Sequence, residues 1–496
     1  MTSLSRRTFL KSSALAVAGA ALPTTAWARA LGANGDIRVA VIGLNGRGRN
    51  HLQSLANIPG VRIVAICDAD SAVLAKVRPT VNGGNVKTYQ DIRALLADRD
   101  VDAVTIATPN HWHSLAAIWA MDAGKDVYLE KPVSHNVWEG RQLVASARKH
   151  DRVIQAGTQI RSGEGMREAV QWVQAGNIGK ITASRGFCYK RRDSIGKSSG
   201  PQPVPSTVDY DLWSGPAPLV PPYRNTKNGP VHYDWHWVYL YGNGDVGNQG
   251  IHQMDVARWF LGERGLPQST LSVGGRLGYV DDGDTPNTQV VIHEYPTAPI
   301  IFEVRGLPAK AGLAGSTSDP RANADSAGMD NYRGVNIGNV IDCEGGALIT
   351  NSYFTATAVD RQGKVIREFK GVDRHMQNFI DVVRSRKKSE LYGPIEEGHV
   401  SSALCHLGNI SHQLGHASTG AVGEQTKSSA LLGEANGRMI EHLHANDVDL
   451  GRTPLTAGVP LLVDAKLERF TGPHAAQANA MLTREYRAPF VVPSLA

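Results

Sequence analysis

The sequence predicts an α/β protein that begins with a doubly wound parallel sheet and continues with a second, mostly antiparallel sheet. Two observations predict the first part: residues 36–158 alternate short apolar runs with helical patterns, and a glycine-rich turn follows the first apolar run. The second part is predicted by alternating strand patterns within residues 269–370, such as Thr288–Tyr295 and Ile300–Val304. Alternation is typical of antiparallel sheets, whereas continuous apolar strands are typical of parallel ones.

The apolar runs of the first part are short enough to be buried strands. They are Val39–Ile42, Val61–Ile66, Ala103–Ala107, Val127–Leu129 and Val153–Ala156, and helical patterns such as Ser114–Ala123 and Val137–Lys149 lie between them. Short apolar strands joined by helices indicate a parallel sheet with both faces covered. We therefore interpret this part as a Rossmann-type domain.

The later sequence changes in texture. Residues 190–245 are rich in proline, glycine and aromatic residues, which inside a compact protein is typical of a segment that shapes a site or crosses an interface. Residues 373–415 show helical patterns, and residues 416–496 are mixed.

The N-terminus carries an export signal. Ser5–Lys11 reads Ser-Arg-Arg-Thr-Phe-Leu-Lys, a twin-arginine motif, and is followed by the apolar run Ala14–Leu22 and the small-x-small pattern Ala26–Ala28. A membrane anchor is the alternative, but the run has about half of the ~20 residues that a spanning helix needs. We therefore expect cleavage before Arg29, export by the twin-arginine machinery to the periplasm or beyond, and no stable membrane anchor.

The charge of the chain and the spacing of its cysteines and histidines argue against a nucleic-acid partner, a disulfide framework and a metal site. The formal charge of +6 falls to +3 on cleavage, because the signal holds three basic residues and no acid. So small an excess, without a lysine- or arginine-rich tract, argues against a nucleic-acid partner. The four cysteines form no Cys-x-x-Cys pair, and the close histidine pairs lack a third ligand, so we predict no disulfide framework and no metal site.

A dinucleotide site is predicted at the glycine turn. Gly43-x-Asn45-Gly46-Arg47-Gly48 follows a strand and opens a helix, a context in which glycines let the backbone approach a pyrophosphate. Asn45 replaces the usual second glycine, but asparagine tolerates positive φ better than most residues. A tight strand–helix turn without a ligand is the alternative.

Asp68 predicts the choice of cofactor. It ends the second strand, 25 residues after Gly43, where an acid binds ribose hydroxyls and repels a 2′-phosphate. We therefore expect NAD, with NADP possible if Arg47 and Arg49 offset the carboxylate. A helix cap is the alternative role for Asp68.

A more specific signature follows in the second half of this domain. Thr108–His113 reads Thr-Pro-Asn-His-Trp-His, and Glu130–Pro132 reads Glu-Lys-Pro. Together with the glycine turn and the later string Gly244–Asp255, these motifs resemble the Gfo/Idh/MocA family, which includes glucose–fructose oxidoreductase and inositol dehydrogenase. The resemblance covers nearly the whole mature chain, and the export signal is typical of a secreted branch.

The resemblance implies a domain organisation. It implies a Rossmann domain followed by an α/β domain with a large, mostly antiparallel open sheet, which often serves for oligomerisation, and hence a homodimer or homotetramer. On this basis we divide the chain into a signal peptide (1–28), an NAD(P)-binding Rossmann domain (36–158), a substrate and oligomerisation domain (159–415) and a C-terminal extension (416–496).

The resemblance also assigns residues to the site. Glu130 and Lys131 are expected beside the nicotinamide, with Pro132 fixing the turn, often as a cis peptide, while Gln159 and Arg161 are expected to face the substrate. The predicted cofactor-binding residues are Gly43, Asn45, Gly46, Arg47, Gly48, Asp68, Thr108, Pro109, Asn110, His113, Glu130 and Lys131.

The expected chemistry needs a base and a group that stabilises developing charge. Oxidation of a sugar hydroxyl removes the O–H proton while a hydride leaves carbon. His252 is the candidate base, since an imidazole titrates in the useful range, and Lys131 is expected to bind the reacting oxygen. If residues 248–261 are one helix, Asn248, His252 and Asp255 share a face, which makes Asn248 a catalytic candidate and Asp255 a substrate-binding one.

Asn248 departs from the family pattern, because dehydrogenases of the family commonly have Asp-x-x-x-His where this chain has Asn-x-x-x-His. Asparagine can orient a hydroxyl or an imidazole but supplies no negative charge. Three explanations stay open: a lowered pKa of His252, a substitute carboxylate such as Asp245 or Asp255, or a different chemistry. The alternatives are a structural histidine at 252 and a surface lysine at 131.

An aromatic string, Tyr233–Tyr239, precedes this helix. Sugar C–H faces stack on aromatic rings, so we predict Trp237 and Tyr239 as substrate-binding residues. Core packing against the sheet is an equally weighted alternative.

Three functions fit these patterns. The first is an exported, nicotinamide-dependent oxidoreductase that acts on a hydroxyl of a sugar, glycoside or polyol and keeps its cofactor tightly bound. The second is an NAD-dependent glycosidase that oxidises the sugar transiently and then eliminates the leaving group. The third is a carbohydrate-binding protein without catalysis, which only the Asn248 departure supports.

Overall fold

The structure, a computed structural model, describes residues 35–223, 231–313, 328–419 and 430–495, so the predicted signal peptide lies outside the described residues. A parallel sheet of six strands comes first, with the order β3-β2-β1-β4-β5-β6. This is the Rossmann order, and the predicted first part is confirmed. The strands are β1 (Ile37–Ile42), β2 (Val61–Cys67), β3 (Lys87–Tyr89), β4 (Ala103–Ile106), β5 (Asp126–Leu129) and β6 (Ile154–Ala156).

Five helices connect these strands and cover both faces of the sheet. Asp70, Asp91 and Asn136 cap the second, third and fifth helices, each accepting a backbone N–H of the first turn. The first helix has Gly46 at its N-cap position and no side-chain cap, which leaves its N-terminal N–H groups available. The helices are α1 (Arg47–Ala56), α2 (Ser71–Val77), α3 (Ile92–Leu96), α4 (His113–Asp122) and α5 (Val137–Lys149).

A twelve-stranded sheet forms the second part. Its order is β14-β13-β12-β11-β7-β10-β9-β8-β16-β15, with β17 paired to β8 and β18, and only β7 and β10 pair in parallel. The predicted, mostly antiparallel sheet is therefore confirmed. The strands are β7 (Ile181–Tyr189), β8 (Ser269–Gly275), β9 (Thr288–Glu294), β10 (Ile300–Arg305), β11 (Ile337–Cys343), β12 (Gly346–Thr350), β13 (Ala356–Asp360), β14 (Val365–Phe369), β15 (His416–Ser418), β16 (Leu455–Ala457), β17 (Leu461–Asp464) and β18 (Arg469–Thr471).

The helices of this part pack on the sheet and against the Rossmann domain. The helix predicted over 248–261 is divided at Gln249, where the His252 N–H donates to Gln249 O over three residues rather than four. Gly262 ends it in the left-handed conformation. The helices are α6 (Glu164–Gln174), α7 (Tyr210–Ser214), α8 (Gly244–Asn248), α9 (Gly250–Leu261), α10 (His375–Ser385), α11 (Ile395–Gln413), α12 (Ala430–Ala445) and α13 (Ala475–Ala480).

Helix α12 covers one face of the large sheet. Its Leu432 and Met439 share a hydrophobic core with Val290 of β9. Arg438 of the same helix forms an ion pair with Glu303, whose side chain is only 1% exposed on β10. Since β15 to β18 also join the sheet, much of the described sequence after residue 416 is built into the second part, whereas the last segment, around Phe490, packs in the core of the Rossmann domain.

Candidate functional site

A cavity lies where the carboxyl ends of the Rossmann strands meet the second part. It has a volume of about 440 Å³ and is lined by residues from the ends of β1, β2, β4 and β5 and from α8 and α9. In open α/β sheets, ligands bind outside the carboxyl ends of the strands where the strand order reverses, which here is between β1 and β4. The predicted site residues on its walls are Gly43, Asn45, Gly46, Arg47, Asp68, Thr108, Pro109, Asn110, His113, Glu130, Lys131, Gln159, Asn248 and His252.

The glycine turn has the close backbone contacts that a dinucleotide cradle requires. Gly43 has a φ of +83°, and a Cβ there would lie 2.5 Å from the Ala107 carbonyl oxygen. A Cβ on Gly48 would lie 1.8 Å from the Gly43 oxygen, so Gly48 lets α1 pack close to the strand instead of lining the cavity. Gly46 has no neighbouring atom within 4 Å of such a Cβ, which leaves space in front of the uncapped helix N-terminus. These features fit a pyrophosphate.

Asp68 is positioned by backbone hydrogen bonds. Its carboxylate accepts the N–H of Leu44 at 2.8 Å and that of Asp70 at 3.0 Å. Burial raises its pKa, and these two hydrogen bonds oppose the shift. Asp70, not Asp68, caps α2, so the cap alternative does not describe Asp68. The carboxylate faces the cavity beside the glycine turn, where a ribose acid is expected.

Glu130 is the centre of a buried hydrogen-bond network. Its Oε1 lies 2.9 Å from Arg47 Nε, 3.0 Å from His51 Nε2 and 3.2 Å from Gln159 Nε2. Burial opposes its ionisation, but Arg47 and His51 outweigh that effect and hold the pKa of Glu130 well below its usual range. The carboxylate is therefore ionised and holds Arg47 and Gln159 at the cavity wall.

Lys131 lies between the two parts of the protein. Its ammonium donates to the backbone oxygen of Asn248 at 2.8 Å, and its peptide bond to Pro132 is cis, as the resemblance implied. Burial lowers its pKa, and the nearby carboxylate of Glu130 opposes that shift. On the same side of the cavity, the ring nitrogens of His113 lie 2.6 Å from Pro132 O and 2.8 Å from Thr108 O, which fixes both loops.

His252 faces the same cavity, and none of the carboxylates in the described segments forms a hydrogen bond or ion pair with it. Its Nδ1 is buried, with no hydrogen-bond partner among the described residues, and its ring centroid lies 5.2 Å from that of Tyr353. Burial, and then the charge of Lys131, hold its pKa well below the usual value. Asp245 forms an ion pair with Arg192 at 2.7 Å, so it does not replace the missing charge. Of the three explanations for Asn248, the structure favours a lowered pKa of His252.

Four predicted substrate-binding residues lie away from the cavity. The carboxylate of Asp255 forms an ion pair with Arg161 at 2.7 Å, and both side chains are buried. Because burial removes both charges from water, each is stabilised by the other. Trp237 is buried under the guanidinium of Arg192, 4.7 Å from its ring centre. Tyr239 points towards α11, where its hydroxyl lies 3.5 Å from Asn409 Oδ1. Their placement favours structural roles.

Several cavity residues were not predicted. They come from the aromatic segment and from the loop after β12, and they are Trp213, His232, Tyr233, Trp235, His236 and Tyr353. The composition of 190–245 indicated that the segment shapes a site, but no period or motif marked which of its side chains face inward.

Metal and thiol chemistry find no support in the described ranges. No group of three histidine, cysteine, aspartate or glutamate side chains there could hold a metal ion. Cys67, Cys188, Cys343 and Cys405 are buried free thiols. Among the described helices, none is long and apolar enough to cross a bilayer.

Comparison with known families assigns the fold. Residues 37–158 match the model of the oxidoreductase family with an NAD-binding Rossmann fold, and residues 167–275 match the C-terminal α/β domain of the same family. The chain belongs to the Gfo/Idh/MocA family. Residues 3–23 match the twin-arginine signal sequence, so this family member is exported by that pathway.

Relatives and solved structures resemble parts or all of this architecture. A glycosyl hydrolase family 109 protein from Shewanella baltica is 29% identical over 209 residues, which is 36% of this chain and 45% of that protein. The chain thus aligns with less than half of this relative's length. The dehydrogenase WlbA from Chromobacterium violaceum, solved with NADH and UDP-GlcNAcA, is 16% identical, with a TM-score of 0.53 over 76% of this chain and 94% of that one. WlbA from Bordetella pertussis is 17% identical, with a TM-score of 0.51 over 74% of this chain and 94% of that one. These structures share the fold.

Proposed function

We propose that this protein is an exported NAD-dependent oxidoreductase that acts on a hydroxyl group of a sugar, glycoside or polyol. The observation that carries the proposal is that the half-buried Lys131 and the buried His252, whose Nδ1 has no partner among the described residues, line the same cavity as the glycine turn. A buried polar atom without a partner is costly unless a ligand completes it.

The groove offers NAD a set of matching groups. The turn Gly43–Gly48 and the N-terminus of α1 would hold the pyrophosphate, and Asp68 would bind the adenosine ribose. Thr108, Glu130 and Lys131 would lie along the nicotinamide half. When bound, NAD supplies the acceptor for a hydride from carbon.

In the proposed reaction, side chains of the protein accept the hydroxyl proton of the substrate and stabilise the negative charge on its oxygen. His252 is neutral because of its lowered pKa, so it can accept the hydroxyl proton of the substrate. The ammonium of Lys131 would donate to the reacting oxygen and stabilise negative charge as it develops. Asn248 can orient a hydroxyl with its amide. The lowered pKa of Glu130 keeps its carboxylate ionised, so it stays paired with Arg47.

NAD is the proposed form of the cofactor. Arg47 and Arg49 are the two cations predicted to be able to bind a 2′-phosphate. In the structure, Arg47 donates to Glu130, and Arg49 donates to the backbone oxygen of Leu44 at 3.2 Å. The carboxylate of Asp68 is left to repel a phosphate. Tight binding belongs to the same proposal, because an exported enzyme needs a cofactor that stays bound after export.

The variant Lys131→Ala tests the proposed function. We expect it to lose turnover of an oxidisable sugar or polyol, identified from a panel, while purifying with the same NAD content as the wild type. Lys76→Ala, an exposed lysine on α2, is the matched control and should keep both properties. Normal turnover in Lys131→Ala would contradict the assignment.

A second candidate, NAD-dependent glycosidase activity, is favoured by two observations. The relative from Shewanella baltica is a glycosyl hydrolase family 109 protein, and His252 lacks the carboxylate partner common in the dehydrogenases of the family. In this chemistry the sugar carbon is oxidised, the neighbouring C–H gives up its proton, the leaving group is eliminated, water adds across the resulting double bond, and the hydride then returns to the oxidised carbon. Release of the aglycone from chromogenic glycosides, without accumulation of NADH, would assign the protein to this class.

A homo-oligomer remains part of the proposal, with one restriction. Helix α12 covers β9 and β10 on one face of the large sheet and is held by the Arg438–Glu303 ion pair. A dimer or tetramer of this chain would therefore have to use another surface.

A further inference from the structure

A segment of the second part crosses the Rossmann domain beside Asp68. Residues 205–215, which we call the strap, run along the end of β2 and the start of α2. The Asp209 N–H donates to Ala69 O at 3.0 Å, and the Ser71 N–H donates to Thr207 O at 2.9 Å. This backbone pairing fixes the strap to the loop that carries the predicted ribose-binding carboxylate.

The strap also forms a wall of the cavity. Leu212 and Trp213 line the same cavity as Asp68, Gln90 and Ile92, which come from the carboxyl edge of the parallel sheet. Because Asp68 marks the expected position of the adenosine ribose, the two strap residues cover the adenosine half of the groove.

Two residues of the Thr108–His113 motif, His111 and Trp112, hold the strap in place through its backbone oxygens. Trp112 Nε1 donates to Leu212 O and Trp213 O, both at 3.0 Å. A ring nitrogen of His111 lies 2.9 Å from the same Trp213 oxygen. These side chains therefore bind strap backbone and do not need to touch the cofactor.

The C-terminal tail, residues 484–495, holds the strap from outside. Arg487 donates to Asp211 O at 2.9 Å and to Gly215 O at 3.0 Å, and it forms an ion pair with the Asp211 carboxylate. Phe490 anchors the tail, because its side chain is 1% exposed within the hydrophobic core of the Rossmann domain. The tail thus joins the strap to the domain that binds the cofactor.

We propose that Arg487 is a positioning residue for cofactor retention: through the strap, it keeps the adenosine half of NAD enclosed, so that the cofactor does not exchange after export. This inference rests on the proposed function, since it requires NAD in the groove. It adds a role for the tail and for His111 and Trp112, which act through the backbone of the strap.

The release rate of bound NAD tests the inference. Wild type, Arg487→Ala and Arg469→Ala are loaded with isotopically labelled NAD and mixed with excess unlabelled NAD, and the label that remains bound is followed. Loss of the three contacts of Arg487 should accelerate release at least about tenfold. Arg469→Ala, an exposed arginine in the same C-terminal region, should release NAD at the wild-type rate.

A second variant separates strap release from general loss of stability. The side chain of Asp211 is 55% exposed, so Asp211→Asn removes the ion pair without opening the core. Asp211→Asn should accelerate release less than Arg487→Ala and add nothing in the double variant. Additive effects, or unchanged release in Arg487→Ala, would overturn the inference alone. A wild-type protein that neither carries nor takes up NAD would overturn the proposed function as well.

Discussion

His252 sets the pH response of the proposed chemistry at the scale of a single residue. Burial and the neighbouring Lys131 hold its pKa well below the usual value of about 6.5, so its imidazole stays neutral as the pH falls through that value. We expect kcat/KM to stay flat from pH 8 to about 6 and to fall only at lower pH. An acid limb centred near or above pH 6.5 would contradict this role.

Removal of His252 tests the same residue directly. His252→Asn keeps a polar side chain but no base, and loss of a general base typically costs about 10² to 10⁴-fold in rate. The turnover number should fall in that range, with NAD content unchanged. His416→Asn, at an exposed histidine, provides the control. Equal activity of the two variants would make His252 a structural histidine.

At the scale of elements, Gly48 determines how closely helix α1 packs against strand β1. A Cβ there would lie 1.8 Å from Gly43 O, so Gly48→Ala must move α1 away from β1. We expect loss of NAD binding and a lower melting temperature. Gly437→Ala is the matched control, since Gly437 also lies in a helix but a Cβ there meets no atom within 4 Å. It should stabilise the protein by up to about 1 kcal/mol. Unchanged NAD affinity in Gly48→Ala would contradict the assigned turn.

Prediction from sequence succeeded where local patterns dictate the element. The apolar runs and the glycine turn predicted the Rossmann sheet, but β3 was missed because Lys87–Tyr89 is a polar edge strand. The shared face of Asn248, His252 and Asp255 was only partly right. The Asp255 carboxylate forms an ion pair with the Arg161 guanidinium instead of facing the cavity. Two buried opposite charges stabilise each other. The sequence could not predict this pairing, because it depends on the tertiary fold.

The buried histidines determine acid stability at the scale of the whole molecule. Burial lowers the pKa of His111, His293 and His406 to about 3. In the unfolded chain these groups take up protons near pH 6.5, whereas in the folded protein they stay neutral, so stability falls as the pH drops from about 6.5 towards 3. Each such histidine contributes up to about 1.4 kcal/mol per pH unit.

His293 provides the test of this account. It is fully buried on β9, burial alone lowers its pKa, and neither ring nitrogen has a partner among the described residues. His293→Leu should therefore reduce the loss of melting temperature between pH 7 and 5, whereas His416→Leu, at an exposed site, should leave it unchanged. A pH dependence identical to that of the wild type in His293→Leu would show that this histidine is not a source of the acid sensitivity.

The central claim is that a folded family member leaves the cytoplasm with NAD already enclosed. The most direct test is mass spectrometry of the ligand released by acid from protein purified from the periplasm. The account predicts close to one NAD per chain and little NADP. An empty protein that also fails to take up added NAD or NADP would contradict it.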